Sequence, residues 1–301
     1  MNTYTGFVKL SFLWVIGCFA CEAQQTDKKP DGIELFACGD DQVLMLAVDS
    51  SFQKVDTVWT WRASETVGLP GEYLSLLKTM DDCKPIENGN ELLLTSSSGA
   101  ALVLERSTKK ALFYAKAANA HSIEALPGNR IAVALSIAPG GNRIALYDRS
   151  KPDEVLFSDS LYSGHGVAWV PEKNRLYALG YDELRAYALA DWDTDAPKLV
   201  LAGKWALPDK DGHDLSRVSG SSLLLSTHGN VWLFDLDNET FGPFGPLEGM
   251  HDVKSVSYNE ATQRLIYTKA EISWWTHHIY SGHPDGVVEV PQINMYKVRV
   301  P

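Results

Sequence analysis

An all-β fold, a six-bladed β-propeller of four-stranded antiparallel blades, is predicted by three observations. From Ile33 onward the chain has almost no helical periodicity, and short alternating stretches rich in Val, Leu, Tyr and Trp are broken by Gly, Asn, Asp and Pro. One block recurs. It reads HSIEALPGNRIAVALS from His121, HGVAWVPEKNRLYALG from His165, HDLSRVSGSSLLLSTHG from His213 and HDVKSVSYNEATQRLIYTKA from His251, with a weaker copy, DDCKPIENGNELLLTSSSG, from Asp81. The starts lie 40, 44, 48 and 38 residues apart, the length of a blade of four short strands.

Composition sets the outer bounds. The 301 residues carry 38 Asp plus Glu against 27 Lys plus Arg, a net charge of −11, with 45% apolar and 22% charged residues. Those fractions are ordinary for a folded protein and exclude long disorder. The acidic balance argues against a nucleic-acid partner, which needs a basic footprint to displace phosphate counterions.

The elements follow in chain order. Residues 1–17 read as a signal peptide: Lys9 precedes the apolar run LSFLWVIG, which falls short of the about 20 residues that span a bilayer. VIGC at its end resembles the lipobox of bacterial lipoproteins, with Cys18 as the acylated residue and Cys21 as a poorer candidate. An uncleaved signal anchor is the alternative. Residues 18–32, with EAQQTDKKPDG, read as a polar tether, and 33–301 as a single propeller domain. The expected location is therefore the cell envelope, outer membrane or periplasm, with the membrane met only through a lipid anchor.

Within the propeller, each repeat supplies an inner strand A followed by B, C and outer D. ELFACGD, QVLMLAVD and DTVWTWR read as B, C and D of the first blade, and the terminal MYKVRV as a strand C of the last. Five blades begun by a recognisable strand A, plus the N-terminal one, make six; seven is the alternative count, and a solenoid the competing architecture. A closed ring leaves only short edges. Cys38 and Cys83 sit in strand-like patterns and read as buried thiols, although an exported protein permits a disulfide between them.

The repeat places His121, His165, His213 and His251, with Asp81, at one equivalent position at the start of strand A. Strands A line the central channel, so one such residue per blade projects into the channel mouth. His228, in the B–C loop STHGN, and His277, His278 and His283, in an insertion ISWWTHHIYSGHPDG after strand B of the last blade, read onto the same face. Clustered imidazoles repel one another as they protonate, and a divalent metal relieves this. His165, His213, His251 and Asp81 are the expected metal ligands, for manganese, zinc or calcium, although calcium prefers more oxygen ligands than this ring offers. A metal-free acid–base site and a purely structural ring remain the alternatives. Trp274 and Trp275 suit a platform for a sugar ring, or packing on outer strands. Arg62 and, more weakly, Lys116 are placed to hold a substrate carboxylate, and His228 is expected to contact the substrate as well.

Through VIGC and the repeated strand-A His with a PxxNRLYxxG pattern, the mature chain resembles a group of β-propeller lipoproteins of gut Bacteroidetes linked with glycan utilisation. The His cluster more loosely resembles propeller polysaccharide lyases such as oligogalacturonate lyase. The resemblance implies a glycan or oligosaccharide partner and β-elimination on a uronic-acid-containing sugar. A metal or Arg62 would neutralise the carboxylate, His121 would take the C5 proton, and Tyr280 or His278 would protonate the leaving oxygen. A lactonase-type metal hydrolase and a non-enzymatic glycan- or partner-binding propeller are the rival readings. A monomer is expected.

Overall fold

The computed structural model describes residues 32–301 together with the first three residues; the signal-peptide run, Cys18 and nearly all of the tether lie outside the described residues. Six sheets of four antiparallel strands form the six blades of a propeller. The inner strands of blades 2 to 6 are Met80–Ile86, Ala120–Leu126, Gly166–Val170, Asp214–Arg217 and Val253–Asn259. Each blade then runs outward in chain order through its B, C and D strands.

Blade 1 is built from both ends of the domain. Gly32–Gly39, Gln42–Asp49 and Val55–Arg62 are its B, C and D strands, as the sequence predicts. Its inner strand, however, is Met295–Arg299, paired antiparallel with Phe36–Gly39. MYKVRV is thus not strand C of the last blade but the strand that closes the ring. Blade 6 obtains its own C and D strands from His278–Gly282 and Asp285–Glu289, so the supposed insertion is partly sheet. One consequence is that His283 lies in the C–D turn, on the face opposite the channel mouth, and the eight histidines do not all share one side.

The core divides into six apolar clusters, one between each pair of adjacent blades. Alternation along each strand points its two faces at the two neighbouring blades, which is why both faces are apolar and the strands read as near-continuous hydrophobic runs. Asn129 and Asn174, in PGNR and PEKNR, take left-handed backbone conformations at φ 62° and 48° in the A–B turns, a role for which Asn is among the better-suited residues. Gly166 is required by close approach: a Cβ there would meet the Leu215 Cβ of the next inner strand at 2.5 Å.

Cys38 and Cys83 are both free and fully buried in the cluster between blades 1 and 2. Burial, and after it the neighbouring Cys83, pushes the Cys38 thiol well above its ordinary value. A thiol reagent should leave both unmodified in the native protein and modify two cysteines of the domain on unfolding in denaturant; rapid labelling under native conditions would show that this cluster opens.

Under the channel mouth the ring is plugged by buried ions. Arg299 Nε donates to Asp82 Oδ1 at 2.7 Å, and its two terminal nitrogens reach the Asp214 carboxylate at 2.9 and 2.6 Å. Lys297 Nζ, with no exposed side-chain surface, lies 3.1 Å from Asp214 Oδ1 and 3.4 Å from the carbonyl oxygens of His121 and His165. Two cations and two anions balance one another. The closing strand therefore contributes two of the four charges that hold the centre together.

Candidate functional site at the channel mouth

The inner strands share one irregularity. The ladder to strand B skips a residue at Asp81, His121, Lys254 and Tyr296, while His165 and His213 stand immediately before the first paired residue of their strands. The next residues along, Asp82, Ser122, Gly166, Asp214, Ser255 and Lys297, resume the pairing. A bulge re-aims its side chain; four blades use one, and in the other two His165 and His213 reach the same place from just before the paired strand. Asp81, His121, His165, His213, Lys254 and Tyr296 all line a single cavity of about 530 Å³. The position equivalent to the histidines in blade 6 is thus Lys254, three residues beyond His251, and in blade 1 it is Tyr296.

The imidazoles lie close together. The ring centroids of His121 and His165 are 4.2 Å apart and those of His165 and His213 5.8 Å apart. Backbone contacts set their tautomers. Nδ1 of His121 donates to the Asn119 carbonyl at 3.1 Å and Nδ1 of His165 to the Ser163 carbonyl at 2.9 Å, which makes Nε2 the lone-pair nitrogen in the neutral form of either ring. His213 accepts at Nε2 from Lys254 Nζ, 2.8 Å away. Its buried Nδ1 has no hydrogen-bond partner among the described residues.

Electrostatics keep two of the rings neutral. Burial, then the neighbouring His121 and His213, holds His165 well below the usual imidazole value. Burial and then the Lys254 ammonium push His213 down to about 2. Burial also lowers Lys254, against the opposing pull of Asp252 and Asp211. Asp81 is raised by burial, although His121, whose Nε2 is 3.6 Å from its carboxylate, opposes the rise. The Tyr296 phenol is held protonated by burial and then by Asp81. The cavity thus offers the neutral His165 ring, the His121 ring beside the Asp81 carboxylate, one phenolic donor and one ammonium.

The remaining expected residues fall into other groups. His251 does not join the ring; it pairs with His228 at 5.7 Å between centroids, and His228 Nδ1 lies 3.2 Å from Asp252 Oδ1, with the His228 side chain 61% exposed. His278 Nδ1 contacts Glu271 at 2.7 Å, the Tyr280 hydroxyl bonds the same carboxylate, and neither lines the cavity. Arg62 is exposed and tied to Asp41 at 2.8 Å. Trp274 and Trp275 do line the cavity, and Trp274 is 66% exposed, so its indole face is open at the rim.

The expected metal ligands do not converge as a set, because His251 is elsewhere and the Lys254 ammonium occupies Nε2 of His213. Among the described residues no three His, Cys, Asp or Glu side chains are grouped with metal-binding geometry. Lys254 and Tyr296 are what the sequence reading missed. Aligning the blocks on the apolar alternation of VKSVSY, rather than on the letter His, would have found Lys254; Tyr296 required recognition of the closing strand.

The family described as a family of unknown function (DUF6528) matches residues 31–300, nearly the whole described domain. The chain belongs to this family. No curated protein matches it. Among solved structures, Sqt1 of Saccharomyces cerevisiae is similar at 13% identity with a TM-score of 0.50, over 78% of this chain and 65% of the yeast chain. The chain thus spans about two thirds of that relative's length, and the likeness concerns the fold alone. No helix among the described residues is long and apolar enough to cross a membrane.

Proposed function

We propose that this protein is an envelope-located, lipid-anchored propeller, attached through Cys18, that binds a uronic-acid-containing saccharide at the channel mouth and carries out β-elimination on it. The observation that supports this reading best is the placement of one ammonium, Lys254, among imidazoles and a phenol in a single cavity rimmed by Trp274 and Trp275. Elimination needs a cation on the carboxylate, a base at C5 and a proton donor at the leaving oxygen. The cation is assigned to Lys254 in place of a metal or Arg62.

The base is assigned to His121, whose Nδ1–H is fixed on the Asn119 carbonyl and whose Nε2 faces Asp81, a carboxylate able to stabilise the imidazolium that forms. As Nε2 takes the C5 proton, the C–H electron pair becomes the C4–C5 double bond and the C4–O bond breaks. The Tyr296 hydroxyl delivers the proton to the departing oxygen; its ring centroid is 5.9 Å from that of His121. Tyr280 and His278 are replaced in this role because Glu271 holds them away from the cavity.

Incubation with uronate oligosaccharides should raise ultraviolet absorbance as the unsaturated product accumulates, and His121→Ala should stop the rise without stopping binding. Binding with no product in the wild type would make the protein a saccharide-binding module. Hydrolysis of lactones instead would favour an esterase chemistry on the same scaffold.

A further inference from the structure

A second cavity, of about 830 Å³, opens on the same face between blades 2 and 3. It is continuous with the channel mouth, because Thr79, Ser97 and Asn119 line both. Lys116, the last residue of strand D of blade 2, and Arg143, the first residue of strand C of blade 3, stand in its wall, and both are exposed.

Its charge sets this groove apart. The protein carries a net −11, yet no Asp or Glu lines the groove. Neither Lys116 nor Arg143 forms a salt bridge among the described residues: Lys116 Nζ lies over the Tyr73 ring at 5.9 Å, and Arg143 Nε reaches only the Gly141 carbonyl, at 3.3 Å. The carboxylate of Asp153, beside the Lys116 backbone, accepts from the Tyr73 hydroxyl and from the Lys116 backbone N–H. What matters is their position, on either side of one groove that no carboxylate lines. Two unpaired cations flanking a groove that bears hydroxyl and amide groups form a ready anion site.

We propose that the ligand is an acidic oligosaccharide with at least two carboxylates, one seated at Lys254 and another in the groove on Lys116 and Arg143. This rests on the reading of the channel mouth as an acidic-saccharide site and adds the length and charge of what it takes. The volume is in the range of pockets that enclose small ligands, and the open indole of Trp274 stands at the rim of the first cavity rather than the second.

The test is calorimetric titration of the wild type and a Lys116→Gln/Arg143→Gln double variant with galacturonate and mannuronate, each as monomer and as trimer, at low salt. Both positions are exposed, so the variant should keep the wild-type melting temperature. The wild type should bind a trimer about tenfold or more tighter than its monomer, as expected for one added charge-assisted contact. The double variant should bind both alike, with monomer affinity unchanged. A wild type that binds monomer and trimer equally, or a variant that keeps the trimer advantage, overturns the groove assignment and leaves the channel-mouth reading standing. If no uronate of either length binds the wild type, both fall together.

Discussion

Lys254→Met should weaken acidic-saccharide binding by roughly ten- to a hundredfold and reduce elimination with it, because a charge-assisted hydrogen bond contributes about 1.5–3 kcal/mol. Lys254 is 5% exposed and its neighbours at the cavity wall are imidazoles that burial keeps uncharged, so no second ammonium in the ring stands ready to replace it. The same substitution has a spectroscopic signature. After burial, Lys254 is the largest cause holding His213 down to about 2, so its removal should raise the His213 titration midpoint, read by NMR of the imidazole protons. Unchanged affinity together with an unchanged His213 midpoint would remove Lys254 from the site.

Arg299→Met should destabilise the fold by about 3–5 kcal/mol, the range observed when one partner of a buried ion pair is deleted. The variant leaves Asp82 without its guanidinium and leaves Asp214 with Lys297 as its only cationic partner. The effect depends on pH, and its sign follows from the carboxyls. Burial would raise both Asp82 and Asp214, but Arg299 first and Lys297 next outweigh it and lower them. Their stabilisation is therefore complete above the unfolded value of about 3.9 and is lost as pH falls below it toward the folded values. Wild-type melting temperatures should drop steeply there, and the variant should show a lower plateau with a shallower acid limb. A variant that melts like the wild type at neutral pH would show that the plug does not stabilise the ring.

Much of the fold was legible because a blade repeats. Every A and B strand of blades 2 to 6 carries its own apolar alternation and turn residues, and these act locally, so the repeat could be read block by block. The N-terminal block likewise announced B, C and D strands with no A strand. What the repeat did not disclose was the partner of that incomplete blade. MYKVRV has the alternation of any strand, and only the contact between Phe36–Gly39 and Met295–Arg299, more than 250 positions apart along the chain, makes it an inner strand.

The same limit governs the site. His121, His165, His213 and Asp81 were found together because each residue stands at the same place at the head of its inner strand. His251 was placed with them because its letter matched, whereas its backbone lies three residues upstream of the bulge. Arg62 ends its strand D as the sequence predicts, whereas His278 and Tyr280 stand on a strand C and not in a loop; Asp41 and Glu271 bind all three first, and such short-range competition between side chains leaves no periodic trace.

The sequence by itself determined the blade, its strand order, its count of six and the recurrence of a polar residue at the head of the inner strand, since these are properties of local alternation and turn chemistry. Only the tertiary structure decided which six side chains meet, because closure of the ring brings Tyr296 and Lys297 from the far end of the chain against His121 and His165. Convergence on an axis depends on backbone register and, in four of the blades, on a bulge that re-aims the side chain, and neither is encoded in residue type.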